Sequence, residues 1–136
     1  MEQIKTLEDL LRTFPLWDAP GLQIDGTEPS PGACGLFPLG MEELSRREDV
    51  TGGVRQRLRQ QFVLRRVFPR GAKAAAWLLR LQDWLPRKAQ NLPGFGSDCV
   101  IRAQKGRLAK THQAGTDIYE VTLTVEYTKE NEYGEN

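Results

Sequence analysis

The longest regular pattern in the chain runs from Val54 to Phe68 and has a period of two. Val54, Leu58, Phe62, Leu64 and Phe68 fall on one face, interrupted by Gln56, Gln60 and Arg66. Arg55, Arg57, Arg59 and Arg65 fall on the other, with Val63 and Val67. Such alternation predicts a strand with one apolar face to bury and one cationic face for water or a partner. At ~3.4 Å per residue it would reach ~50 Å if straight, so a twist or bend is expected. A second period-two run spans Asp117 to Tyr127. It turns Tyr119, Val121, Leu123, Val125 and Tyr127 one way and Glu120, Thr122, Thr124 and Glu126 the other.

Two segments carry helical spacing instead. Ile4, Leu7, Leu11 and Phe14, with Leu10 beside them and Pro15 closing the segment, predict a helix over about residues 2–13. Ala74, Leu78, Leu81 and Leu85, widened by Trp77 and Trp84, predict a second helix over Ala72 to Leu85. Pro86 ends it or kinks its last turn. Both tryptophans read as packing against a sheet rather than as a ligand platform, and Trp17 as an anchor for its Pro/Gly-rich loop.

The remaining elements are shorter or less regular. Leu22 to Ile24 and Cys34 to Leu39 predict short strands, and 27–32 is turn material. Leu44 to Val50 is a weak strand or a helical turn, followed by Thr51-Gly52-Gly53 as a hairpin turn. Residues 98–110 predict an irregular strand with Gly106 as a bulge or turn, and His112 to Gly115 reverse the chain. From Lys129 the sequence is an acidic, polar tail. The order of elements predicts an α+β fold, a mostly antiparallel sheet with two helices packed on one face. It forms one domain over 1–128, with a flexible tail at 129–136.

At 136 residues the chain has the length of one domain and can bury roughly two-thirds of its unfolded surface. Lysine and arginine number 19 against 18 aspartate and glutamate, a balance that argues against a dedicated nucleic-acid binder. The charge is unevenly placed, with six arginines and no acid over 54–70 and three glutamates and no base over 130–136. Cys34 and Cys99 lie far apart without metal-ligand spacing and read as two buried thiols of a cytosolic protein. The opening MEQIKTLEDLL does not read as a signal peptide, and the longest apolar run, Ala74–Leu79, is too short to span a membrane. A soluble intracellular protein with no membrane partner is expected.

Catalytic chemistry is hard to place. The single histidine, His112, reads as a solvated turn residue, and neither CxxC nor HExxH occurs, so no metal or cofactor is expected. There is no G-x-S-x-G elbow, and Gly94 and Gly96 are not followed by GK[ST]. Glu42, Glu43, Glu48 and Asp49 read as a solvated acidic face. The arginine stripe Arg55, Arg57, Arg59 and Arg65 is the main candidate site, with three readings. It can form cross-strand salt bridges to acids such as Glu48 or Glu120, serve as a subunit interface or lumen wall, or contact nucleic acid. Without aromatics interleaved on that face, single-strand binding by base stacking is disfavoured. A ligand-binding or enzymatic domain would have to use the loops at 15–40 and 86–97.

Several segments, taken in order, carry a family likeness. They are an amphipathic N-terminal helix ending near FPLW, then VTGGVRQRLRQQFVLRRVF, a helix ending in LQDWL, the NLP loop, and the closing pair CVIRAQKGRL and TDIYEVTLTVEY. From residue 2 to about 128 this arrangement resembles the minor capsid or tail terminator proteins of tailed phages and prophages of Gram-positive bacteria, or of phage-tail-like particles. The resemblance implies a non-enzymatic structural protein that forms a ring, commonly a hexamer. Such a ring caps the tail tube and docks the head connector, with tube and connector proteins as partners and DNA able to pass through. It places the protein in the host cytoplasm during assembly and then in the virion or tail-like particle. In such a ring the Arg55/Arg57/Arg59 stripe and the glutamates at 130–135 are candidate complementary surfaces. The alternative function is a small nucleic-acid-binding α+β module using the arginine strand.

Overall fold

In the computed structural model the two period-two runs lie side by side at the centre of a five-stranded sheet. The structure describes residues 2–17, 22–24, 34–69, 74–87, 92–112 and 115–131. The strands are β1 (Leu22–Ile24), β2 (Cys34–Glu48), β3 (Val54–Pro69), β4 (Ser97–His112) and β5 (Thr116–Asn131), in the order β1-β2-β3-β5-β4. β1 runs parallel to β2 and every other pair is antiparallel. Helices α1 (Glu2–Leu11) and α2 (Ala74–Trp84) pack on one face, giving the expected α+β arrangement.

The periodicity of β3 decides which face that is. Leu58, Phe62, Leu64 and Phe68 are buried, as are Val121, Leu123, Val125 and Tyr127 of β5 and Ile101 and Ala103 of β4. Against them lie Ile4, Leu7 and Leu11 of α1 and Ala74, Trp77, Leu78 and Leu81 of α2. Trp77 is the hub of an aromatic cluster, with edge-on contacts to Phe14 at 5.5 Å and Phe68 at 5.7 Å, and its indole N–H donates to the Leu16 carbonyl. Trp17 packs against it at 6.0 Å, and most of the loop it is expected to anchor lies outside the described residues. Arg66, which interrupts the apolar face, places its guanidinium 4.6 Å from the Trp77 ring and 4.7 Å from Phe68.

Several boundaries differ from the sequence reading, α1 ending at Leu11 and β4 running from Ser97 to His112 among them. β2 is one strand of 15 residues, where the pattern suggested a short strand and a weak strand or helical turn. Pairing with β3 along its whole length overrides the weak local preference of Met41 to Arg47. Bulges at Pro38/Gly40 and Glu43/Ser45 explain why no clean alternation shows in the sequence. β5 runs on through Lys129, Glu130 and Asn131 because each pairs with β3, so the strand includes the first residues assigned to the tail. α2 ends at Trp84 in a 3-10 turn over Leu85–Arg87, as Pro86 requires. Gly106 lies in a bulge between Gln104 and Arg107, as anticipated, under the side chains of Gln82 and Leu78. Gly96 makes the tightest approach, since a Cβ there would lie 1.8 Å from the Thr128 carbonyl oxygen.

The β2–β3 hairpin turn is held by one side chain. The Asp49 carboxylate accepts from the Thr51 hydroxyl at 2.7 Å and from the amides of Gly53 at 2.8 Å and Thr51 at 3.0 Å, while Gly52 supplies a φ of 92°. These bonds, the Thr51 hydroxyl first, hold the Asp49 carboxyl below its ordinary value of 3.8. The stabilisation is complete above 3.8 and is lost as pH falls through the lower folded value. Asp49→Ala should speed amide exchange at Thr51 and Gly53 at neutral pH, and wild type should show the same loosening only in acid, both read by NMR. Leu123→Ala, in the fully buried centre of β5, should cost about 2–5 kcal/mol in urea unfolding.

Candidate functional site

The face of the sheet opposite the helices is where the odd-numbered arginines of β3 lie. Their cross-strand partners on β5 are fixed by register, with Arg55 opposite Glu130, Arg57 opposite Thr128, Arg59 opposite Glu126 and Arg65 opposite Glu120. Three of these four pairs are opposite in charge, and each makes contact. Arg65 meets Glu120 at 2.6 Å, Arg59 meets Glu126 at 3.2 Å and Arg55 meets Glu130 at 3.5 Å. The ladder continues sideways. Arg102 of β4 reaches Glu126 at 3.0 Å, Arg107 reaches Glu120 at 3.8 Å, and Glu42 of β2 reaches Arg59 at 3.8 Å. Glu42, Arg59, Glu126 and Arg102 thus form an alternating chain of charges across four strands.

The strength of this ladder varies with burial. Glu126 and Glu120 are 18% and 15% exposed and each lies between two guanidiniums, while Thr124 on the same face is 2% exposed. Pairs toward the hairpin are more open, with Arg55 58% and Glu130 65% exposed, and contribute about 0–1 kcal/mol each. Glu48, the other acid expected to meet this face, pairs with Arg46 at 3.2 Å instead, because it lies opposite Val54 on the helix side.

Near the hairpin the balance changes. Arg47 of β2 lies directly opposite Arg55, a like-charged cross-strand pair, and makes no ion pair among the described residues. Arg57 likewise meets no carboxylate among the described residues. It donates to the Asp98 carbonyl at 2.8 Å and to the Thr128 hydroxyl at 3.1 Å. With Ser45, Arg46 and Gln56 these arginines line a cavity of about 390 Å³. Asp98 holds a φ of 50° in the bulge that starts β4, and its carboxylate is 3.8 Å from Arg55. The hairpin also leaves Leu39, Met41, Leu44 and Val50 exposed.

All four sequence-predicted residues, Arg55, Arg57, Arg59 and Arg65, therefore share one surface. The surface also uses Glu42, read from sequence as part of a solvated acidic face, and Arg47, Asp98, Arg102 and Arg107, which the sequence pattern did not single out. Bulges in β2 and β4 hide the alternation that would have revealed them. A second hollow, about 370 Å³, lies in the helix layer between Phe14, Leu16, Leu79 and Trp84. Among the described residues no group of histidine, cysteine and carboxylate side chains is placed to hold a metal ion. Cys34 and Cys99 are buried, and burial raises the Cys99 thiol above its ordinary value. The glutamates beyond Glu130, and the loop residues 113–114, lie outside the described residues. No helix among the described residues is long and apolar enough to cross a membrane. No protein-family model matches the chain, and no curated protein is similar to it.

The ladder predicts a graded response to loss of a carboxylate. Glu126→Ala should cost about 1–3 kcal/mol in urea unfolding because two guanidiniums lose their acceptor. Glu130→Ala should stay within about 0.5 kcal/mol. Equal effects at both positions would show that the ladder does not depend on burial.

Proposed function

We propose that this chain is a non-enzymatic structural protein of a phage or phage-tail-like particle, forming a ring that terminates the tail tube and docks the head connector. The observation that carries the reading is the exposed outer strand β2 with the hairpin turn that follows it. From Leu39 to Val50 every residue is exposed, and Leu39, Met41, Leu44 and Val50 offer apolar side chains outside the core. A strand edge and apolar side chains held out in solvent are the material of a subunit contact. The order of segments from FPLW to TDIYEVTLTVEY, which resembles the terminator class, points the same way. Ring contacts are heterologous, so two different patches on one chain must meet, and a sheet with two unlike edges supplies them.

The alternative, a nucleic-acid-binding module, would use the same arginines. Arg55, Arg59, Arg65, Arg102 and Arg107 each contact a carboxylate of their own chain, which among the described residues leaves Arg47 and Arg57 as the arginines of that face available to phosphate. Two such contacts would give a shallow salt dependence and weak binding. DNA passing through a ring would fit that better than a dedicated binder.

Native mass spectrometry of the purified chain over a concentration series should show one closed high-mass species, a hexamer, that negative-stain images resolve as a ring. A chain that remains monomeric throughout would contradict the proposal.

A further inference from the structure

The geometry points to β2 and β4 as the two halves of one joint between copies, a neighbour's β4 lying antiparallel beside β2, displaced two residues toward the hairpin. This inference rests on the ring reading and assigns its contact surface.

Both strands have a free side. β1 pairs only with Cys34, Gly35 and Leu36, so from Phe37 to Glu48 the outer edge of β2 has no strand beside it among the described residues. β4 closes the opposite edge of the sheet. Every step from β2 through β3 and β5 to β4 is antiparallel, so β2 and β4 run in opposite directions. A copy brought alongside by simple rotation therefore presents β4 antiparallel to β2, the pairing that continues the sheet.

The charges say which copy and which register. On the open face β2 carries, from the hairpin inward, Arg47, Glu42 and the ring of Phe37. β4 carries Asp98, Arg102 and Arg107 in the same order. Within one chain Glu42, Arg59, Glu126 and Val100 share a row, Gly40, Gln61, Thr124 and Arg102 share the next, and Arg107 shares a row with Gly35. Sliding the neighbour by one such row, two residues, brings Arg102 beside Glu42, Arg107 beside Phe37 and Ser97 into the row of Arg47, with Asp98 next to it in the bulge that starts β4. The first two contacts are then complementary, an ion pair and a cation beside an aromatic ring. An even slip keeps every side chain on its own face, and a constant stagger between neighbours is what a closed ring of tilted strands needs.

The unmet needs of the single chain fall on the same residues. Arg47 faces the like charge of Arg55 with no ion pair among the described residues. Glu42 is 65% exposed, and its contact with Arg59 is 3.8 Å. Arg102 has a buried Nε without a hydrogen-bond partner. Both edges also hold exposed apolar side chains, Leu39, Met41 and Leu44 on one and Val100 and Leu108 on the other. The occupant is a second copy because each edge carries the complement of the other.

The test uses two charge reversals, E42R and R102E, each checked for folding by circular dichroism. In E42R both edges carry arginine at this row, and in R102E both carry glutamate. Each variant alone should lose the high-mass species at concentrations where wild type forms it. An equimolar mixture should regain it with the two chains in equal number, since every joint of an alternating ring is then complementary. Wild-type rings with both variants still assembling alone would overturn this joint and leave the ring reading standing. Folded variants whose mixture stays unassembled would overturn it too, and a monomeric wild type would overturn both.

Discussion

The sixteen-residue antiparallel register between β3 and β5 is the constraint on which the rest depends. It runs without a bulge from Val54 opposite Asn131 to Pro69 opposite Thr116. Because side chains alternate strictly along both strands, this single alignment puts Leu58, Phe62 and Leu64 beside Tyr127, Leu123 and Val121 on the helix side. It simultaneously puts Arg59 and Arg65 beside Glu126 and Glu120 on the other. A slip of one residue would exchange the faces, exposing the apolar rows and burying the charges under the helices. Core and ladder are therefore two consequences of one register.

Around that central pair the flanking strands are less regular, and the irregularities have direction. The bulges fall in β2 and β4, the strands with free edges, while β3 and β5 have none between them. Bulges on edge strands limit indiscriminate pairing. Here they also set which charged residues share a face, bringing Glu42, Ser45 and Arg47 to the open side despite their uneven spacing. The open face is neutralised in its interior, where Glu120 and Glu126 each serve two arginines. At its margins charges of both signs face solvent on each edge, Glu42 and Arg47 on β2 and Asp98 and Arg107 on β4.

The parts of this arrangement legible in the sequence are those with unbroken period. The faces of β3 and β5 and the stripe of α2 could be read directly, because packing there follows the periodicity. Met41 to Glu48 was legible only as a weak strand or helical turn from Leu44, since its composition and spacing favour a strand little, and pairing with β3 makes it one. The arginine stripe was visible from Arg55 to Arg65, but its partners were only partly so. Glu120 stood out in an alternating run, whereas Arg102 and Arg107 sit in a strand whose bulges scramble the pattern. Edge identity is a property of strand order, and strand order is not written in any one segment.

Hydrogen–deuterium exchange of the assembled and the diluted protein would distinguish edge-to-edge assembly from any other. New protection on assembly is expected over Leu39–Arg47 and Asp98–Arg107, with the interior strands β3 and β5 unchanged. Protection confined to the helix-layer residues around Leu16, Leu79 and Trp84, with both sheet edges still exchanging freely, would contradict it.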